Sequence, residues 1–129
     1  MYKTLEVGID YILTEKEIKR LKNILSREMK VSLDEVNFQI HMLDFEESWD
    51  MLGTGCLGYC ERNKIFLATE NKETLVHELV HVIQNRKTGF INTCKKKINS
   101  IANKKFNWLY KIDFNEREAR RIASLFKEV

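Results

Sequence analysis

The stretch TLVHELVHVIQNRK, residues 74 to 87, holds two of the three histidines in the chain, four residues apart, with Glu78 directly after the first. Leu75, Val76, Leu79, Val80, Val82 and Ile83 surround them, so the segment reads as a helix over about residues 72 to 87, buried nearly all round. Thr74, His77, His81 and Gln84 form its polar stripe. Side chains four apart on a helix lie one above the other, with Cβ atoms about 5 to 6 Å apart, so both imidazoles can aim at one point. Two imidazoles in such surroundings are costly unless satisfied. A metal ion with outer hydrogen-bond acceptors satisfies both together, and nitrogens at about 2.0 to 2.1 Å from Zn2+ suit this spacing.

Glu78 sits about 100° around the helix from His77, so it points past such an ion but can reach a water bound to it. HELVH is thus the H-E-x-x-H pattern: zinc brings the pKa of its water to about 7, and the glutamate takes the proton as that water attacks a carbonyl. The bland alternative is a pair of core histidines with an incidental glutamate between them. The helical context favours the metal.

Catalytic zinc usually has three protein ligands. A glycine and a histidine soon after His81 would mark the metzincin extension, but the chain reads VIQNRKTGF there, which excludes that class. His41 alternates with core residues of a strand and is expected on the outer sheet face, and Cys94 follows the helix too closely to fold back easily. The last helix, in DFNEREARRIASLF, offers two glutamates. Glu116 shares the face of Ala119, Ile122 and Ala123, which must pack inward, whereas Glu118 lies with Arg121 and Leu125. Helical phase therefore favours Glu116 over Glu118 as the third ligand. Tyr110, shortly before it, is a candidate hydrogen-bond donor to a tetrahedral oxyanion, or else packs with Trp108.

Working outward, Leu5, Val7, Ile9 and Tyr11 alternate with polar residues as in a half-buried strand, and Val36 to Met42 repeats the pattern. Thr14 and Glu17 form a capping box before a helix that runs to about residue 30. Leu57 to Cys60 and Ile65 to Leu67 read as a hairpin leading into the histidine helix, which Gly89 is expected to cap. Two more helices are predicted, over about residues 93 to 110 and 115 to 127. The order predicts an α+β architecture.

At 129 residues the chain has room for one domain, residues 1 to 129, and with 43% hydrophobic and 32% charged residues it is ordinary for a globular protein. No signal-like N-terminus or membrane-length apolar run is seen, and Cys56, Cys60 and Cys94 match no disulfide framework, so a cytoplasmic location with reduced thiols and no membrane partner is expected. The net charge of +3 is too small to imply nucleic acid by itself. A run of lysines from Lys95 to Lys111 and an acidic cluster over Asp44 to Asp50 are partner surfaces or simply solvated faces.

HELVH, followed a few dozen residues later by E-x-x-A-x-x-x-A from Glu116 to Ala123, resembles the gluzincin branch of zinc metallopeptidases. It is similar in particular to small single-domain relatives, the minigluzincins and ImmA/IrrE-like proteins. The resemblance covers roughly residues 57 to 126. It implies a zincin-like core: a small twisted mixed sheet over the active-site helix, C-terminal helices behind it, and an edge strand near Cys56 to Cys60 that pairs with a peptide or protein substrate. It implies Zn2+ held by His77, His81 and Glu116, with Glu78 as general base. One departure is Arg120, where many relatives place an acid or asparagine that supports a zinc-binding histidine. A guanidinium cannot accept the imidazole N–H, so that support must come from elsewhere. A scaffold that keeps the zinc but serves as a regulatory or DNA-associated interaction protein is the competing expectation.

Overall fold

The computed structural model describes residues 5–44, 58–88 and 105–127, and the side chains of 87, 88 and 105–113 lie outside that description. Strand β1 (Leu5–Val7) and a 3-10 turn (Ile9–Tyr11) lead to helix α1 (Glu15–Met29); a second 3-10 turn (Leu33–Glu35) precedes β2 (Gln39–Met42). Next come β3 (Gly58–Glu61), β4 (Lys64–Leu67), α2 (Lys72–Thr88) and α3 (Lys105–Lys127). The four strands form one mixed sheet in the order β1-β2-β4-β3, with β2 and β4 parallel and the outer pairs antiparallel. The architecture is α+β, as the order of elements predicted.

Both N-terminal strands are shorter than their alternation suggests, because pairing ends where a partner ends. β4 begins at Lys64, so the β2 ladder starts only at Gln39, whose N–H donates to the Asn63 carbonyl. Val36 instead closes the 3-10 turn on Leu33 and buries its side chain. β1 pairs with β2 from Leu5 to Val7; beyond Gly8 the backbone turns, with Tyr11 N–H on the Gly8 carbonyl, and the next residues to enter the core are Ile12 and Leu13. Leu5 and Tyr11, expected on the inner face, are exposed.

α1 begins at the expected capping box: Glu17 N–H donates to Thr14 Oγ1 at 3.2 Å and Thr14 N–H to Glu17 Oε1 at 2.9 Å. Its end is closed by Lys30 in the left-handed region (φ 54°), whose N–H reaches the Leu25 and Ser26 carbonyls. The two helices predicted at the C-terminus are corrected by the structure. Residues 105 to 127 are one helix, and neither glycine nor proline stands between 110 and 115 to break it. Residues 93 to 104 of the predicted third helix lie outside the described residues, as do Gly89, Cys56, Cys94 and the acidic cluster after Asp44.

α2 packs against β3 and β4 on one side and α3 on the other, while α1 packs on α3. Leu75, Val76, Leu79, Val80 and Ile83 are completely buried and join Ile40, Ile65, Leu67, Ala119, Ile122 and Phe126 in one core. Phe66, between Ile65 and Leu67, turns to the opposite sheet face and stacks with Tyr59 and His41 across the strands. His41 is therefore a sheet-face residue, as expected, with its Nε2 3.2 Å from Gln39 Oε1.

Candidate metal centre

The site begins at the start of α2. Asn71 caps the helix, its Oδ1 accepting from Thr74 N–H at 3.0 Å and lying 3.3 Å from the Thr74 hydroxyl. That contact turns the Thr74 methyl toward β3. There Gly58 lies so close to α2 that a Cβ on it would stand 2.7 Å from Thr74 Cγ2 and 3.2 Å from Glu78 Cγ. Glycine at 58 lets the edge strand sit directly against the helix that carries the histidines.

One and two turns further on, His77 and His81 present their Nε2 atoms to each other at 3.2 Å. α3 brings Glu116 against both: its Oε1 lies 2.8 Å from His77 Nε2 and its Oε2 3.1 Å from His81 Nε2. Ligands about 2.05 Å from a tetrahedral ion stand roughly 3.3 Å apart, so the three groups are spaced as such a site requires. His77, His81 and Glu116 can thus hold a metal ion, each offering a ligand atom within 4.8 Å of the others. Burial first, and the neighbouring His81 ring second, push His77 below the ordinary imidazole range against the pull of Glu116. A neutral imidazole is the form that binds metal.

Of the two glutamates that helical phase distinguished, the structure brings Glu116 to the histidines, while Glu118 accepts a hydrogen bond from Gln84 Nε2 at 2.9 Å. Arg120, one turn beyond Glu116, lies with its Nε 3.8 Å from Glu116 Oε1, at the exposed rim. Gln84 is the residue whose part in the site sequence reasoning missed. It is 4% exposed, its Oε1 is 2.8 Å from His81 Nδ1, and its Nε2 donates to the Asn115 carbonyl at 2.9 Å as well as to Glu118. The signal was its place on the polar stripe, three residues after His81.

Glu78 is 9% exposed, and burial raises its carboxyl pKa, with Glu116 adding to the rise and His81 opposing it. It lines the same open cleft as His77, His81 and Glu116, about 290 Å³ in volume, whose other wall is β3 from Gly58 to Cys60. β3 is an edge of the sheet, paired only with β4 among the described strands. The Cys60 thiol faces this cleft half-buried, with Asn85 Nδ2 3.7 Å from its sulfur. Burial, and after it the charges of Glu78 and Glu61, push its pKa up to about 12, so it stays a thiol. Tyr110 lies in α3, but its side chain is outside the described residues. Comparison with protein-family models, curated proteins and solved structures finds no match to this chain. No helix among the described residues is long and apolar enough to cross a membrane.

Proposed function

We propose that the protein is a zinc-dependent metallopeptidase that hydrolyses peptide bonds in a peptide or protein substrate. The observation that carries this reading is the convergence of His77, His81 and Glu116 from two helices, with the buried carboxyl of Glu78 in the same cleft. Zinc held by the three residues would supply Lewis acidity, polarising a carbonyl and bringing a coordinated water to a pKa of about 7. Glu78 is the general base. Its raised pKa brings it closer to the value at which a carboxylate both accepts a proton near neutral pH and returns it to the leaving amine. Among the described residues, the side of β3 away from β4 has no strand paired to it and would offer backbone donors and acceptors to an extended substrate, and the lack of a side chain at Gly58 keeps that strand beside Glu78. These features support the zincin-like reading that the HELVH resemblance implies.

The test is Glu78→Gln beside the wild type, with zinc content and cleavage of a denatured protein substrate measured together. Removing a general base is expected to lower turnover roughly 10²- to 10⁴-fold while zinc remains bound. Equal cleavage by the variant would overturn the catalytic role of Glu78. Zinc binding without cleavage in the wild type would leave the regulatory reading in its place.

A further inference from the structure

Gln84 has its amide oriented by what surrounds it. The Asn115 carbonyl and the Glu118 carboxylate are acceptors only, and both lie 2.9 Å from one end of the Gln84 side chain. That end must be the NH2, because the oxygen there would face two oxygens at hydrogen-bond distance. The amide oxygen therefore faces His81 Nδ1 at 2.8 Å, and an oxygen in that position accepts only from a protonated Nδ1. A neutral imidazole with its proton on Nδ1 has a bare lone pair on Nε2. That lone pair points at the position shared with His77 and Glu116.

We infer that Gln84 and Glu118 are positioning residues for the metal centre: Glu118 and the Asn115 carbonyl orient Gln84, and Gln84 holds His81 in the tautomer that exposes Nε2. This inference rests on reading the site as a metal centre. It supplies the outer support that Arg120, at the fourth position after Glu116, cannot give. The relay also spans both helices. Gln84 lies on α2 with His77 and His81, and its two acceptors lie on α3 with Glu116, so the bonds that set the tautomer also set the distance of the third ligand. Glu116 must bind the ion itself, whereas Glu118 needs only to accept a hydrogen bond.

Two measurements test the inference. The first is zinc affinity, by competition with a chromogenic chelator, for wild type, Gln84→Leu, Glu118→Leu and Glu118→Gln. Loss of outer support is expected to weaken zinc roughly 10- to 100-fold in Gln84→Leu and Glu118→Leu. Glu118→Gln, which keeps an acceptor oxygen, is expected to stay near wild type. Gln84→Leu within about twofold of wild type would overturn the inference, as would an equal loss in Glu118→Gln and Glu118→Leu. The second measurement is needed if the leucine variants do not fold. It is the ¹⁵N spectrum of the His81 ring in zinc-loaded wild type, where the metal takes Nε2 and the ring proton stands on Nδ1. That proton is expected to exchange slowly with solvent because the Gln84 oxygen holds it, and rapid exchange refutes the relay. Failure of the wild type to bind zinc at all would instead refute the metal centre, a result distinct from either.

Discussion

α1 and α2 are neighbours in length and opposites in construction. α1 keeps most of its polar residues at the surface and answers them locally or with exposed ion pairs: Thr14 with Glu17, Lys22 with Asp34 at 3.1 Å, Glu28 with Arg121. The exception is Arg20, which lies over the Phe126 ring and donates to the Phe126 carbonyl at 3.0 Å. Only Leu21, Ile24, Leu25 and Met29 are buried. α2 is apolar around most of its circumference, and of its inward polar groups His77, His81 and Gln84 find partners on α3, some thirty to forty residues later. A helix of the first kind is specified by its own sequence and adds stability. A helix of the second kind carries polar groups that would be costly alone, and it keeps them because another element completes them. The difference predicts that changes to α1 and to the polar side of α2 act on separate observables.

The largest expected effect is at the shared ligand. Glu116→Ala should weaken zinc binding by more than the roughly 100-fold that marks outer-support changes, whereas Glu28→Ala, which removes an α1 carboxylate paired with the same helix, should leave zinc affinity unchanged. Titration of both variants with zinc checks this, and equal loss would erase the distinction between the helices.

Next comes the core side of α1. Leu21 is fully buried, and Leu21→Ala should cost about 3 kcal/mol in chemical denaturation, with zinc affinity of the folded fraction intact. A change in affinity without a change in stability would show that α1 belongs to the site.

The smallest effect is electrostatic and lies at the start of α1. The Lys72 ammonium, 2.8 Å from the Glu17 carboxylate, together with the Thr14 N–H, holds the Glu17 pKa down to about 2 from an ordinary 4.5. A carboxyl whose pKa falls on folding contributes stability that is complete above about pH 4.5 and disappears as the pH drops toward 2. Glu17→Gln should therefore melt below the wild type at pH 7 and converge with it near pH 2. Exposure makes this a small difference. Parallel melting curves at every pH would remove the link between Glu17 and Lys72.

The same contrast explains what could be read before the fold was seen. The capping box, the buried faces of α2 and α3, the hairpin and the outward His41 are local patterns, and they appear where the periodicity put them. The two histidines were legible because i, i+4 spacing fixes their direction, and Glu116 because Ala119, Ile122 and Ala123 fix the inward face of α3. Strand lengths were not legible, since Val36 and Ile9 alternate correctly but lack a partner strand opposite them. The predicted break between residues 110 and 115 is absent, since no glycine or proline stands there, and the Asn115 carbonyl inside the helix serves as an acceptor for Gln84. Gln84 itself needed its distant partners. A buried amide means little until the groups at both its ends are known.

Both the proposed chemistry and the relay behind it depend on His77, His81 and Glu116 forming one coordination sphere. X-ray absorption at the zinc edge, on protein loaded with one equivalent of zinc, reads that sphere directly. The expected spectrum has two imidazole nitrogens and carboxylate or water oxygen at about 2.0 to 2.1 Å, with the imidazole signal retained and one oxygen shell altered in Glu116→Ala. A sulfur shell at about 2.3 Å, or a spectrum without imidazole scattering, would place the metal elsewhere and contradict the account.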